Sequence, residues 1–562
     1  ATPAATPAAT TPTVTALSTA LTTSSDIVTS TFTSADDSIT AVGGATGRTF
    51  GTGDVLVDNS TTDNDTLTIT TADGTTQAPS TVTGIENIIY NNTSLSAASA
   101  VNLQNITGAK VTVNHTGNAA VVDNTSAVTN IGSNMTVTYG TSVTAATSAD
   151  IAAGAKNVTL NAGASELTVT TNGTADGITV NGGTGAAMSV TLTAGDKNAT
   201  IVGGSTTPGN TNTQTVDAAG VAGVSFTSGA LAGNSATGDV NTVVFSNVVS
   251  GTLTVGRTSG TTEATGTDVN IDGAETASDA VTLKAAGHID LDIRGGGNEQ
   301  IEALTVEGNG AAVTLHFDAA DAPTTLTMAG SQSITAVLAA AQADAITTIT
   351  DSTTAGTTTI QIADPIPGNA GHDYSTLAVD IIEFGGTATD TNNNTLVFAN
   401  NATVKFGGTA AHTTIGTLDV TDGSATTTLA DGAINLDLSQ DATGNLTIEG
   451  TGDVLTTVNV TANAAQTSMS ILGGSGVTIN LSGSKNVTTT DSTGKALNAA
   501  SLTGNLTATA SANLLSITGG SGDDTFTGIT AQKMVIDGGS GNDKLITTDA
   551  DTYYTATISI WG

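Results

Sequence analysis

The stretch that decides the fold lies near the end of the chain, where one nine-residue pattern occurs twice. It reads Gly519-Gly520-Ser521-Gly522-Asp523-Asp524-Thr525-Phe526-Thr527, and again Gly538-Gly539-Ser540-Gly541-Asn542-Asp543-Lys544-Leu545-Ile546. Both copies fit G-G-x-G-x-D-x-U-x, in which U is a large apolar residue, here Phe526 and Leu545. Glycine permits the left-handed backbone angles of a tight turn. The apolar residue begins a short strand facing the core, so the pattern predicts stacked turns of a parallel β-helix.

The same pattern predicts a calcium site. Its turn aims carbonyl oxygens inward and its aspartate adds an anionic oxygen, and oxygen is the ligand that Ca²⁺ prefers. The copies begin 19 residues apart, close to the coil of about 18 residues that two nine-residue half-turns make. They should stack as neighbours with Ca²⁺ between them; the alternative is two glycine-rich surface turns with exposed aspartates. The predicted ligand residues are Gly519, Gly520, Ser521, Gly522, Asp524, Gly538, Gly539, Ser540, Gly541 and Asp543.

On these residues the chain resembles the repeats-in-toxin (RTX) proteins, which Gram-negative bacteria export by type I secretion. About 30 residues carry this resemblance, between 519 and 546. It implies a calcium-binding β-roll in the segment 511–550 and export without an N-terminal signal peptide, and no signal peptide opens the chain. It also implies a secretion signal beyond Gly562, so the chain is expected to be truncated at that end.

Composition narrows the fold class to all-β. The 562 residues include 66 glycines and no cysteine, with 3% aromatic and 11% charged residues. A mean hydropathy of +0.11 argues against disorder, which needs low hydropathy with high charge. Valine, isoleucine and threonine favour strands. The chain is therefore expected to build a thin β core repeated many times, in parallel β-solenoid or β-roll segments.

The charge balance excludes some partners. Lysine and arginine number 12 against 49 aspartates and glutamates, a formal net charge of −37. Nucleic acid is excluded as a natural partner because a phosphate backbone needs a basic surface. No apolar run approaches the roughly 18 residues of a membrane span, so membrane insertion is not expected. So acidic a surface repels its own copies unless cations intervene, and divalent ions would favour assembly.

The segment 21–90 contains degenerate versions of the calcium repeat. In each, an aspartate stands one or two residues before an apolar residue, but several glycines of the pattern are missing. Calcium binding and the capping of strands by solvated turn aspartates both remain open for these positions. The aspartates concerned are Asp26, Asp37, Asp54 and Asp65.

Together with the closing run Val82-Thr83-Gly84-Ile85-Glu86-Asn87-Ile88-Ile89-Tyr90, this succession resembles the opening of the lattice-forming part of Gram-negative surface-layer (S-layer) proteins, of the Caulobacter and Campylobacter type. The resemblance implies calcium-stabilised β-solenoid domains, self-assembly into a two-dimensional coat and an extracellular location on the cell surface. That family holds lipopolysaccharide through an N-terminal domain. Nothing before residue 21 can serve as one, so contact with lipopolysaccharide or a surface glycan would need a domain absent here.

The middle of the chain shows regularly spaced strand patterns. Strands are expected near Asn157, Glu166, Gly177, Met188 and Asn198, at steps of 9 to 11 residues. Such steps fit an antiparallel sandwich or a parallel solenoid, and the motifs at both ends favour the solenoid. Small residues suit coils that stack closely. The alanine-rich run 331–344 is expected to contain a short helix.

Composition shifts predict seven segments. They are a proline-, threonine- and alanine-rich linker (1–20), a degenerate RTX-like segment (21–90), a solenoid (91–204), two further β segments (205–363 and 364–510), the β-roll (511–550) and a terminal tail (551–562).

Catalysis finds little support in the sequence, since the five histidines are scattered and neither H-E-x-x-H nor G-x-S-x-G occurs. The alternating run His288-Ile289-Asp290-Leu291-Asp292-Ile293-Arg294 predicts one polar strand face, either a subunit contact or cation site or merely a solvated face. Two functional classes remain: a calcium-dependent lattice protein whose partner is its own copies, and an RTX adhesin or other secreted calcium-binding rod. An adhesin should repeat one module and end in a distinct ligand domain, and neither is visible.

Overall fold

A computed structural model gives the fold of the chain. The residues that it describes are 14–60, 62–72, 76, 78–93, 99–115, 126–140, 147–163, 166–183, 187–203, 213–228, 241–255, 267–274, 278–294, 301–317, 322–363, 372–385, 395–408, 417–421, 432–442, 445–449, 455–472, 476–510, 514–528, 534–546 and 558–559. They fall into two compact units, one up to Ile301 and one from Glu302. The finer division into seven segments stays a prediction.

The first unit consists of parallel β-strands, and its described residues contain no helix. Its strands are β1 Ser18–Ala20, β2 Ile27–Val28, β3 Ser38–Val42, β4 Val55–Val57, β5 Thr66–Thr71, β6 Thr81–Thr83, β7 Asn87–Asn92, β8 Ser99–Asn102, β9 Lys110–His115, β10 Ser126–Ile131, β11 Thr136–Tyr139, β12 Thr147–Ile151, β13 Lys156–Asn161, β14 Leu167–Thr171, β15 Asp176–Asn181, β16 Met188–Thr191, β17 Thr200–Val202, β18 Thr213–Asp217, β19 Ala222–Thr227, β20 Asn241–Val248, β21 Ser250–Thr254, β22 Thr267–Gly273 and β23 Ala280–Arg294.

The second unit repeats this arrangement and adds one short helix, α1 Ala340–Ala345. Its strands are β24 Ala303–Phe317, β25 Thr325–Gly330, β26 Ile334–Leu338, β27 Thr348–Thr353, β28 Thr358–Ile362, β29 His372–Asp373, β30 Ile381–Phe384, β31 Thr395–Ala399, β32 Thr403–Phe406, β33 Thr417–Thr421, β34 Gly432–Leu438, β35 Asn445–Glu449, β36 Leu455–Ala462, β37 Gln466–Leu472, β38 Thr478–Gly483, β39 Val487–Thr493, β40 Ala496–Leu502, β41 Leu506–Ala510, β42 Ser516–Thr518, β43 Thr525–Thr527, β44 Val535–Asp537, β45 Lys544–Leu545 and β46 Ile558–Ser559.

Strand pairing identifies each unit as a β-solenoid. Almost every strand pairs in parallel with the strand two positions along the chain, as β13 pairs with β15 and β36 with β38. Val158 lies opposite Ile178 and Leu160 opposite Val180, so one coil takes 20 residues there and contributes two strands. The solenoid prediction is confirmed, and the antiparallel sandwich is excluded for the described residues. No helix among those residues is long and apolar enough to cross a membrane.

The predicted strand rhythm is confirmed where it was most regular. Strands β13 to β17 start within two residues of the expected positions at Asn157, Glu166, Gly177, Met188 and Asn198. In β15, Ile178 and Val180 are fully buried while the residues beside them face outward. This alternation follows from the two-residue period of a strand. The β-branched residues therefore form the thin core that the composition predicts.

Outward-facing asparagines add side-chain hydrogen bonds between coils. In the second unit, the side-chain nitrogen of Asn459 donates to Asn435 at 2.9 Å, Asn480 donates to Asn459 at 2.9 Å, and Asn498 donates to Asn480 at 3.1 Å. We call these four residues the asparagine ladder. Each of these bonds joins two successive coils, as the backbone hydrogen bonds of the same strands do. The ladder therefore fixes the register of the coils from outside the core.

The helix expected within residues 331–344 is only partly correct. Residues 334–338 form β26, which pairs with β24 and β28, and the helix is confined to Ala340–Ala345. Burial of Ile334 and Leu338 in the solenoid core outweighs the helix propensity of the alanines. Most of the predicted linker 1–20 and the residues that begin the predicted segments 205–363 and 364–510 lie outside the described residues.

Glycines allow close coil stacking at one turn of the first unit. A Cβ atom on Gly163 would lie 2.5 Å from the carbonyl oxygen of Gly140, and a Cβ on Gly183 would overlap the carbonyl oxygen of Gly163. The three glycines thus stand one above another in successive coils. The expectation that small residues permit close stacking is confirmed here.

Replacing Gly183 with alanine should separate these coils. The added methyl group meets backbone atoms, which cannot rotate away, and such overpacking costs about 1–3 kcal/mol of unfolding free energy. The matched control is Gly132→Ala, because its Cβ would approach no heavy atom closer than 3.6 Å. Urea unfolding followed by circular dichroism measures the difference. Equal midpoints for the two variants would contradict the stacking argument.

Candidate calcium-binding turns

The two glycine-rich copies stack one coil apart. Strands β43 and β45 pair in parallel and place Phe526 opposite Leu545. The turns before them are also joined, since the amide of Ser540 donates to the carbonyl of Gly520 at 2.9 Å. The predicted neighbouring position of the copies is therefore confirmed, and all ten predicted ligand residues lie in two adjacent turns.

Only glycine fits several positions of these turns. Gly539 and Gly541 have φ angles of +84° and +125°, and a Cβ on either residue would overlap a carbonyl oxygen of the preceding copy. Left-handed backbone angles and close approach of two chains are the two conditions that select glycine. The glycines of the second copy thus bring its backbone against the carbonyl oxygens of the first copy.

Asp524 connects these turns from the inside. Its side chain is fully buried, Oδ1 accepts the N–H of Leu506 and Oδ2 accepts the N–H of Gly520, both at 2.7 Å. Its own N–H donates to Oδ1 of Asp543 at 3.0 Å. Burial raises the pKa of Asp524, as do the charges of Asp543 and Asp523, whereas the two N–H donors lower it. One carboxylate therefore holds its own turn and the coil before it.

These turns fit Ca²⁺ by donor chemistry. The carboxylates of Asp524 and Asp543 and the turn carbonyls are hard oxygen donors of the kind that Ca²⁺ takes. An ionised carboxylate has about four lone-pair sites, so the N–H donors on Asp524 do not exhaust its capacity. Calcium binding here stays a prediction, and the alternative of exposed surface aspartates is wrong for Asp524.

The aspartates of the degenerate repeats make the same contacts. Two of them donate through the backbone N–H to the carboxylate one coil further on, Asp26 to Asp54 at 3.0 Å and Asp37 to Asp65 at 2.8 Å, whereas the N–H of Asp54 donates to the carbonyl of Gly51 at 3.1 Å. Asp65 continues this series by donating to Oε2 of Glu86 at 3.0 Å. We call this arrangement, together with that of Asp524 and Asp543, the aspartate staple.

The second carboxylate oxygen of a staple caps its own turn. Thr22 donates to Asp26, Thr33 to Asp37 and Gly51 to Asp54, all through backbone N–H groups at 2.6 to 2.7 Å. These aspartates do cap turns, but Asp37 and Asp54 are buried, so they are not the solvated residues that the capping alternative describes. Calcium at Asp26, Asp37 and Asp54 stays a prediction.

Asp65 differs from the other staples because two further carboxylates join it. Asp58, Asp63 and Asp65 are all buried, and one ligand atom from each lies within 4.8 Å of the others. The pKa of Asp65 is raised to about 6, chiefly by burial and also by the charges of Asp58, Asp63 and Asp37, against the lowering effect of the Asp37 N–H. Asp58 and Asp63 were not predicted from the sequence, because neither stands one or two residues before an apolar residue.

The polar face predicted for residues 288–294 is partly buried. Ile289, Leu291 and Ile293 of β23 fill the core, as the alternation requires. His288 is only 5% exposed, and its Nε2 lies 2.8 Å from Oδ1 of Asp290. A fully solvated face is therefore wrong at His288. His288 and Asp290 lie close to His316, with one ligand atom from each within 4.8 Å of the others, and the cation-site interpretation stays a prediction.

Replacing both Asp524 and Asp543 with alanine should loosen the C-terminal coils. The change leaves the N–H groups of Leu506, Gly520 and Asp524 without acceptors, at about 1–3 kcal/mol for each group that stays buried. Hydrogen–deuterium exchange should therefore rise in residues 506–528 even in chelator, with the first unit unaffected.

Calcium adds a second expectation for this variant. Extracellular calcium modules bind at about 10⁻⁴ to 10⁻³ M, so wild-type protein should gain a calcium-dependent calorimetric transition in that range that the double variant lacks. The exposed Asp523→Ala serves as control. If the double variant keeps the wild-type calcium response, the proposed ligands are wrong.

Comparison with known proteins assigns no family to the chain. No protein-family model matches the sequence, and none of the curated proteins matches it. The geometry of the coils and turns therefore carries the functional argument.

Proposed function

We propose that this chain is a structural S-layer protein, which self-assembles into a calcium-stabilised two-dimensional lattice on the outside of a bacterial cell. The observation that carries the proposal is the aspartate staple, which occurs in the degenerate repeats near residue 21 and again in the glycine-rich repeats near residue 524. In both places a carboxylate lies between successive coils, where an oxygen-binding cation can reinforce them.

The rest of the chain supports a structural role. Apart from α1, the described elements are β-strands whose apolar side chains face inward and whose threonines and asparagines face outward. Parallel coils contact chiefly their neighbours, so such a fold provides a long, regular surface. Regular polar surfaces are suited to repeated contacts between identical subunits, so the partner is a further copy of this chain.

Net charge explains why calcium would control assembly. Each subunit carries a formal charge of −37, and monovalent salt at physiological strength screens charges only beyond about 8 to 10 Å. Contacts between subunits are closer than that. Divalent ions at staples and at acidic contacts would neutralise part of the charge, so assembly depends on them more strongly than folding does.

An enzymatic function has no comparable support. Among the described residues, His288 lies 2.8 Å from Asp290 and His372 lies 2.8 Å from Asp344, and a His–carboxylate pair by itself does not make a catalytic site. An extracellular location and type I export belong to the same proposal and rest on the RTX-like repeats.

The proposal predicts calcium-dependent sheets. Purified full-length chain in millimolar Ca²⁺ should form ordered sheets by negative-stain electron microscopy, and a chelator should return them to soluble subunits. Because main-chain hydrogen bonds and the apolar core do not need the ion, the subunits should keep most of their β signal by circular dichroism. The segments 21–90 and 511–550 should loosen.

Three results would count against this prediction. Sheets that persist in excess chelator at physiological salt would remove calcium from assembly, and loss of β structure before disassembly would make calcium a folding ligand. Isolated rods without sheets, at every calcium concentration, would favour the RTX adhesin. Magnesium at equal concentration controls for general charge screening.

A further inference from the structure

We propose that Asp58, Asp63 and Asp65 form a calcium site of their own, in the turn between β4 and β5. It differs from the glycine-rich turns in two ways: it has three carboxylates, and it lacks the glycine motif. The inference does not rest on lattice formation, since the ion would bind within one subunit. Its test and that of the proposed function can therefore fail separately.

The backbone fixes both sides of this turn. The N–H of Asp58 donates to the carbonyl of Thr83 at 3.0 Å, and a Cβ on Gly84, whose φ is +76°, would overlap the carbonyl oxygen of Asp58. On the other side, the carbonyl of Asp65 accepts the N–H of Asn87 at 3.0 Å. Neighbouring coils therefore hold the first and last carboxylates of the cluster in place.

Three carboxylate oxygens in the turn lack hydrogen-bond donors, whereas Oδ2 of Asp58 accepts the N–H of Ser60 at 3.0 Å. Both oxygens of Asp63 and Oδ2 of Asp65 are buried without a partner. Asp63 is 8% exposed and Asp65 fully buried. Among the described residues, no lysine or arginine forms an ion pair with Asp58, Asp63 or Asp65. Buried charges without partners are strongly unfavourable, and proteins keep them where they are paired or bind a metal.

The contrast with the staples identifies the unusual atoms. Asp54 has both oxygens occupied by backbone N–H groups. Asp65 uses Oδ1 in the same way, for the N–H of Asp37, but its Oδ2 is left for another partner. Strand capping thus explains why Oδ1 of Asp65 is buried, but it explains neither Oδ2 of Asp65 nor the two oxygens of Asp63. A bound cation would explain these three oxygens.

Distance and charge favour Ca²⁺. Oxygens bound to one Ca²⁺ at about 2.3–2.6 Å can be about 5 Å apart, whereas the shorter bonds of Mg²⁺, about 2.0–2.1 Å, allow only about 4 Å. The three ligand atoms lie within 4.8 Å of one another, so they fit Ca²⁺ anywhere in that range, whereas Mg²⁺ would need every pair to be closer than about 4 Å. Ca²⁺ takes six to eight oxygens, so water and turn carbonyls would complete its shell.

The substitution Asp63→Asn distinguishes two roles of Asp63, because its expected effect is opposite for a calcium ligand and for a structural residue. Because the Asp63 oxygens accept no hydrogen bond, the amide removes only repulsion, so the variant in chelator should be protected as well as wild type or better. In Ca²⁺, wild type should gain protection from hydrogen–deuterium exchange in peptides covering 51–72 and 78–93. The variant should lose that gain, and so should Asp58→Asn.

The matched control is Asp196→Asn in the same unit. Asp196 is also buried, but its oxygens accept the N–H groups of Ala175 and Thr193 at 2.8 and 2.9 Å. Its replacement should lower protection in its own coil equally with and without calcium. The calcium response of residues 51–93 should remain unchanged.

Each other outcome overturns the site. Wild-type peptides that gain no protection in Ca²⁺ would show that no ion binds, and a wild-type response in Asp63→Asn would place the ion elsewhere. Lower protection of Asp63→Asn in chelator would make Asp63 a structural residue. Equal protection by Mg²⁺ would overturn the assignment to calcium. Titration calorimetry of the full chain should give one fewer bound Ca²⁺ in the variant than in wild type.

Discussion

The main-chain hydrogen bonds between successive coils are the interaction on which the rest of the structure depends. Every coil must present its N–H and C=O groups to the coils on either side, at the roughly 4.8 Å separation of strands in a sheet. Side chains that point along the solenoid axis at a turn have no room at that distance. The stacked glycines Gly140, Gly163 and Gly183 satisfy the constraint at one turn, and the glycines of the C-terminal repeats satisfy it at another.

The aspartate staple follows from the same constraint. A turn that leaves the strand ladder has N–H groups that no longer face a carbonyl, and buried N–H groups need an acceptor. The carboxylate of the next coil meets this need for Leu506 and Asp26, and its second oxygen meets it within the turn for Gly520 and Gly51. Carboxylates inside the solenoid thereby serve as backbone acceptors. These carboxylates also bring negative charge into the solenoid, which a bound cation would neutralise.

Much of the fold was predictable because its signals are periodic. The strand positions from Asn157 to Asn198 and the neighbouring position of Gly519 and Gly538 follow from spacing alone. The short length of the helix after Ser331 could not be predicted in this way, because pairing of β26 with two other strands overrides the local helix preference of alanine. Contacts between distant segments decide such cases.

The candidate sites were predictable only where a motif marked them. Asp524 and Asp543 stand at fixed places in the glycine-rich pattern, whereas Asp58 and Asp63 stand on opposite sides of an irregular turn. Their approach to Asp65 depends on the path of residues 58–65, which Thr83, Gly84 and Asn87 of the next coil determine. No regular spacing records that path. Three aspartates within eight residues were the only available signal.

The asparagine ladder has a direction, and this makes chemical ageing of the protein asymmetric. Asn459 donates to Asn435 and accepts from Asn480. Deamidation of Asn459 to aspartate would remove the donor and keep the acceptor. The hydrogen bond to Asn435 would be lost while that from Asn480 became charge-assisted and stronger. Damage at one rung would therefore weaken the solenoid on its N-terminal side and tighten it on the other.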